Sequence, residues 1–146
     1  MAHLLREVGL DFVGTAPVRH VFAREITAPP EAVHHALAED VSGWTEWFSA
    51  VTLARPLDDG ARREIRLKGG TRFEETILAT KSPELYAYRI DITNAPGARA
   101  MVEEWRLARR GRARGCSGRS RWTARRRSVL PSASRGPVSA GRSGTR

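Results

Sequence analysis

The chain has 146 residues, a formal net charge of +9, 40% hydrophobic residues and a single cysteine, Cys116. That length suits about one domain, and a lone cysteine excludes an internal disulfide framework. No stretch approaches the ~18 apolar residues of a membrane span, and the first residues turn charged at Arg6-Glu7 before a signal-peptide core accumulates, so a cytoplasmic protein with no membrane partner is expected.

The charge is concentrated at one end. All 16 acidic residues lie at or before Glu104, with 13 basic residues up to Ala108, a net charge of −3. Residues 109–146 hold 12 arginines and no acid, a net charge of +12. The change falls at Leu107-Ala108 and suggests three segments: an N-terminal extension over 1–14, a domain over 15–108 and an Arg/Ser/Gly-rich tail over 109–146.

The alternation of Val18, His20, Phe22, Arg24 and Ile26 with their neighbours predicts a first strand over 18–26. Pro29-Pro30-Glu31 then suits a helix start, because proline tolerates the first turn and a carboxylate favours the positive helix end. Val33 and Leu37 form the buried stripe of that helix, which ends near Glu39-Asp40. A second short helix is expected over 41–48, with Trp44, Trp47 and Phe48 on one side. A meander of strands follows over 51–57, 62–68, 71–80, 85–92 and 98–107, with turns at Asp58-Asp59-Gly60, Gly69-Gly70, Lys81-Ser82-Pro83-Glu84 and Thr93-Asn94-Ala95-Pro96-Gly97. The fold class is α+β, an antiparallel sheet with two helices after its first strand.

The runs from Ala23 to Val33, from Asp40 to Phe48 and from Glu103 to Leu107 resemble the START-like SRPBCC superfamily, in particular its polyketide cyclase/dehydrase and lipid-transport branch. The resemblance spans roughly residues 15–108. It implies a helix grip, in which a curved antiparallel sheet wraps a long C-terminal helix, two small helices close one end and an apolar cavity lies between sheet and helix. It also implies a small hydrophobic or polyketide-like ligand as partner, without a cofactor. Carriers, cyclases and hydrolases share this architecture, so the fold alone leaves binding and catalysis both open.

The sequence departs from the family where a last strand and the long helix belong. Among large aliphatics, residues 109–146 contain only Val129, Leu130 and Val138, with no helical or strand periodicity, so a disordered tail without a grip helix is expected. Read in a shifted frame, the segment permits an uninterrupted sequence with an alternating strand over 111–124 and the start of an amphipathic helix over 132–146. A frameshift near Ala108-Arg109 accounts for the composition on that reading, leaving an altered C-terminus and a marginally stable product. A genuine basic arm is the other reading, with nucleic acid a nonspecific partner through phosphate attraction.

Of the candidate chemistry, Glu74 and Glu75 are adjacent on one strand and leave by opposite faces, so one points inward. Glu75 in an apolar cavity would suit a general base for cyclisation or dehydration, whereas pairing with Arg63, Arg66 or Arg89 would make it structural. Glu103 and Glu104 pose the same question. His20 shares a strand face with Phe22 and is a second candidate base. Trp47, Phe48, Phe73, Tyr88 and Trp105 are the expected ligand-lining residues. His34 and His35 read as helix-surface or boundary residues, and with no acidic or cysteine partner at ligand spacing no metal site is expected.

Overall fold

The computed structural model of the chain describes residues 1–108 and the backbone of 109 and of 122–129. Twelve arginine-rich residues between these stretches, and everything after Val129, lie outside the described residues, and with them most of the segment expected to be a disordered tail without a grip helix.

Among the described residues, eight strands form one antiparallel sheet: β1 (His3–Leu4), β2 (Arg19–Ile26), β3 (Val51–Leu57), β4 (Arg62–Leu67), β5 (Arg72–Lys81), β6 (Leu85–Thr93), β7 (Met101–Arg109) and β8 (Trp122–Val129). Their spatial order is β2-β8-β7-β6-β5-β4-β3, with β1 attached to the end of β6. Three short helices complete the described structure, α1 (Phe12–Thr15), α2 (Pro30–Ala38) and α3 (Trp44–Trp47). Gly69 and Gly70 turn β4 into β5 at φ values of +88° and +87°, a conformation that a side chain would strain. Register shifts between Glu74 and Glu75, and again between Ile77 and Ala79, place two irregularities in β5, the device by which a sheet bends.

The sheet is covered on both faces. On the helix side, Ile65, Tyr86, Tyr88, Ile90 and Met101 pack with Leu37, Val41 and Trp44. On the other, Ala100 and Val102 pack with Phe12, Val13 and Ala16. The segment 1–14, expected as an N-terminal extension, contacts this sheet: β1 pairs with β6, with His3 opposite Thr93, and Phe12 and Val13 of α1 are buried.

Within residues 109–146, the described strand is β8. Its backbone pairs with β2 from Arg19↔Val129 to Ile26↔Trp122 and with β7 from Val102↔Val129 to Arg109↔Trp122. The physical reason is that ladder hydrogen bonds come from the main chain, which every non-proline residue supplies. Two facing strand edges therefore accept an arginine-rich run that side-chain periodicity alone does not identify as a strand.

The link between α2 and α3 sets the helix-side aromatic residues. Asp40 Oδ1 accepts the Gly43 N–H at 3.1 Å, and the Trp44 indole N–H reaches back to the carbonyls of Ala36 at 3.0 Å and Leu37 at 3.2 Å. A Cβ at Gly43 would lie 2.1 Å from Asp40 Oδ2, so Gly43→Ala must expel the carboxylate from its place. The expected loss is about 0.5–1.5 kcal/mol of stability, read from the urea midpoint, with Asp40→Ala giving a similar loss and the double variant little more.

Candidate functional site

On β4 the alternating positions Arg63, Ile65 and Leu67 share one face, which places a guanidinium in a row of aliphatic side chains. Arg63 is 1% exposed. A buried charge is tolerated only when it is paired and hydrogen-bonded, and β5 supplies the pair: Glu75 stands directly opposite in register and its Oε2 accepts the Arg63 Nε–H at 2.5 Å. The Tyr86 hydroxyl accepts from Nη1 at 3.0 Å. The guanidinium carbon lies 4.0 Å from the ring centroids of both Trp44 and Tyr88, within the range of cation–π attraction. Burial by itself lowers the Arg63 pKa, but the Glu75 carboxylate, aided by Tyr88 and Tyr86, outweighs it and holds the group above its ordinary value. Burial pushes the Tyr86 phenol up. Arg63 is thus a permanent cation and Tyr86 a neutral phenol. The third nitrogen, Nη2, is buried with no hydrogen-bond partner among the described residues.

A second polar group adjoins the first through Tyr88. Glu103 of β7 faces Tyr88 of β6 in register, and the Tyr88 hydroxyl donates to Glu103 Oε2 at 2.5 Å while accepting the Trp105 indole N–H at 3.3 Å. Tyr88 therefore shows its ring face to Arg63 and its hydroxyl to Glu103. Above them, His34 of α2 sits edge-on to Tyr86 at 6.3 Å, and its Nε2 donates to the Leu85 carbonyl at 3.3 Å. Its Nδ1 has no partner among the described residues.

Of the residues singled out from sequence, Tyr88, Phe48, Phe73 and Trp105 come together in one apolar cluster with Trp44 and Tyr86. Trp47, 47% exposed, joins through ring contacts to Trp44 at 5.6 Å and Phe48 at 5.7 Å. Glu75 faces inward and is bonded to Arg63, the structural alternative raised for it. His20 is not brought to this cluster: it is exposed on β2, stacked on Phe22 at 6.5 Å, and β8 and β7 stand between β2 and β6. The reading of His34 as a surface or boundary residue is corrected, since only His35 is exposed, beside Glu39 at 2.8 Å. The signal was present in the spacing, because His34 and Leu37 are three apart and share a helix face.

The opposite face carries an ion-pair network. Glu64, fully buried, accepts from Arg55 and Arg66, each at 2.8 Å, and Arg72 lies 3.3 Å away. Burial acts to raise its pKa, but the hydrogen bonds from Arg66 and Arg55 prevail and hold it below the usual carboxylate value of 4.5. With the folded value depressed, the stabilisation is present above about pH 4.5 and is lost as pH falls through the folded value. Acid titration of the midpoint of urea unfolding is expected to show this loss, and Glu64→Gln to flatten it.

Among the described residues, no group of three or more His, Cys, Asp or Glu side chains could hold a metal, and no helix is long and apolar enough to cross a membrane. No curated protein matches the chain. Solved structures do: the ginseng major latex-like protein 151 from Panax ginseng (TM-score 0.60, 8% identity, 82% of this chain and 84% of that one), XoxI from Bacillus cereus (0.59, 14%, 84% and 78%), and the Zhui aromatase/cyclase from Streptomyces sp. R1128 (0.56, 19%, 80% and 70%). At these identities they share its fold, a curved antiparallel sheet of the helix-grip type. The sequence model for polyketide cyclase/dehydrase and lipid transport matches residues 18–143, and with most of its length so covered, the chain belongs to that SRPBCC-type family.

Proposed function

We propose that the protein binds a small hydrophobic or polyketide-like molecule on the helix side of its sheet, between α3 and the strands β5 to β7. The observation that carries this reading is the conjunction of flat aromatic surface with a few fixed polar groups. Phe48, Phe73, Tyr88 and Trp105 offer rings, Trp47 stands half-exposed at their edge, and Arg63, Glu75 and Glu103 place charge behind them. Apolar walls with a small number of oriented polar groups are the ordinary composition of small-molecule sites. The aromatase/cyclase among the structural neighbours gives the polyketide-like shape its plausibility as a ligand class.

Binding without turnover is the favoured form of the proposal. Glu75 is bonded to the buried Arg63 guanidinium, so it acts as a positioning residue for Arg63 on this reading. A cyclase or dehydrase reaction is the second reading, and the Tyr88–Glu103 hydrogen bond favours it: a phenol positioned by a buried carboxylate can donate to a substrate carbonyl. Titrating a dihydroxyanthraquinone into the full chain should quench tryptophan emission to saturation with one site per chain. Trp105→Ala should weaken binding about tenfold, the loss of one aromatic anchor. Quenching that never saturates, or that is equal in the variant, would rule the site out.

A further inference from the structure

We infer that the ligand carries a neutral carbonyl oxygen and that Arg63 Nη2 donates to it, an inference that rests on the proposed binding site and narrows its ligand class. Arg63 is nearly accounted for. Nε is held by Glu75 and Nη1 by Tyr86, and the ring centroids of Trp44 and Tyr88 each lie 4.0 Å from the guanidinium carbon. Nη2 is the guanidinium nitrogen that remains, buried and without a hydrogen-bond partner among the described residues.

A buried N–H that makes no hydrogen bond forfeits the solvation it had in water, so a ligand acceptor placed there recovers what folding left unsatisfied. The acceptor is one oxygen in the plane of the group, as a ketone or quinone presents. A carboxylate is disfavoured because it would be a second anion beside Glu75, whose charge already neutralises Arg63. Nη2 is closed off from solvent, so the ligand reaches it by displacing the α3 rings. Trp47 is the exposed member of that stack and Trp44 the buried one.

Anthraquinone, anthracene and anthracene carboxylate are matched flat probes for the full-length protein and its Arg63→Lys variant, which keeps a cation for Glu75 and loses the planar fork. Anthraquinone is expected to bind the wild type about tenfold to a hundredfold more tightly than anthracene, the range of a hydrogen bond to a charged group, and to lose that advantage in Arg63→Lys. Equal binding of the two by the wild type overturns the inference while leaving the binding site intact. Failure of all three probes to bind overturns the site and the inference together, and tighter binding of the carboxylate overturns the commitment to a neutral oxygen. Should Arg63→Lys fail to fold, the guanidinium proton signals of wild-type Arg63 decide by NMR: a shift with anthraquinone but not anthracene supports the hydrogen bond, and unmoved signals refute it.

Discussion

Arg63→Met is expected to lower the free energy of unfolding by about 3–5 kcal/mol, because it leaves Glu75 as a buried carboxylate without its cation. The loss is large against the ~5–15 kcal/mol that holds a domain together. The double variant Arg63→Met/Glu75→Leu is expected to recover most of it, since an apolar pair of similar volume costs no desolvation of charge. Urea unfolding of the two variants and Glu75→Leu completes a double-mutant cycle. A coupling energy near zero would mean that the 2.5 Å contact does not act as an ion pair in solution. If the double variant regains stability yet binds no ligand, the pair serves the site more than the fold.

The second large effect is at Trp44. Trp44→Ala is expected to cost about 3–5 kcal/mol, for three reasons that act together. The indole is 2% exposed in the helix-side core, it forks its N–H to two carbonyls at the end of α2, and its ring centroid lies 4.0 Å from the Arg63 guanidinium carbon. Trp44→Phe keeps the ring and loses the fork, and should cost about 1–2 kcal/mol less. Trp47→Ala, in a half-exposed ring, should change stability by under about 1 kcal/mol and act on ligand binding instead. Equal destabilisation by the Trp44 and Trp47 variants would contradict the division between a core ring and an entrance ring.

Much of this architecture was legible in the sequence because the signals are local. Alternation placed the first strand at 18–26 against the observed Arg19–Ile26, and Gly69-Gly70 marked the hairpin. The Pro-Pro-Glu start of α2 sits where Pro30 and Glu31 begin it. The aromatic residues expected to line a ligand were identified by type and fell on one side of the sheet. What escaped is set by the third dimension. Arg63 was considered only as one possible partner of Glu75, because nothing local tells a guanidinium facing the core from one facing water; the β4↔β5 register decides it. The row Arg63, Ile65, Leu67 was the available clue. The spacing of His34 and Leu37 hinted at a shared buried face, but the partners that cover His34, Leu85 and Tyr86, lie some 50 positions away. β8 was invisible for a different reason: its place comes from the backbone edges of β2 and β7, and its arginines carry no strand signature.

The nucleic-acid reading is confined to the same C-terminal stretch and draws no support from the helix-side site, whose charge is already paired. The two proposals separate experimentally, since phosphate contacts weaken steeply with added salt while an aromatic site changes little.

The most direct test of the ligand-binding account is a crystal structure of the full-length protein grown with a dihydroxyanthraquinone. The ring system is expected between α3 and β6–β7, stacked against Tyr88 and Trp105, with its carbonyl oxygen about 3 Å from Arg63 Nη2. A ligand lodged instead over the Glu64 face of the sheet, or a helix side unchanged at saturating ligand, would contradict it.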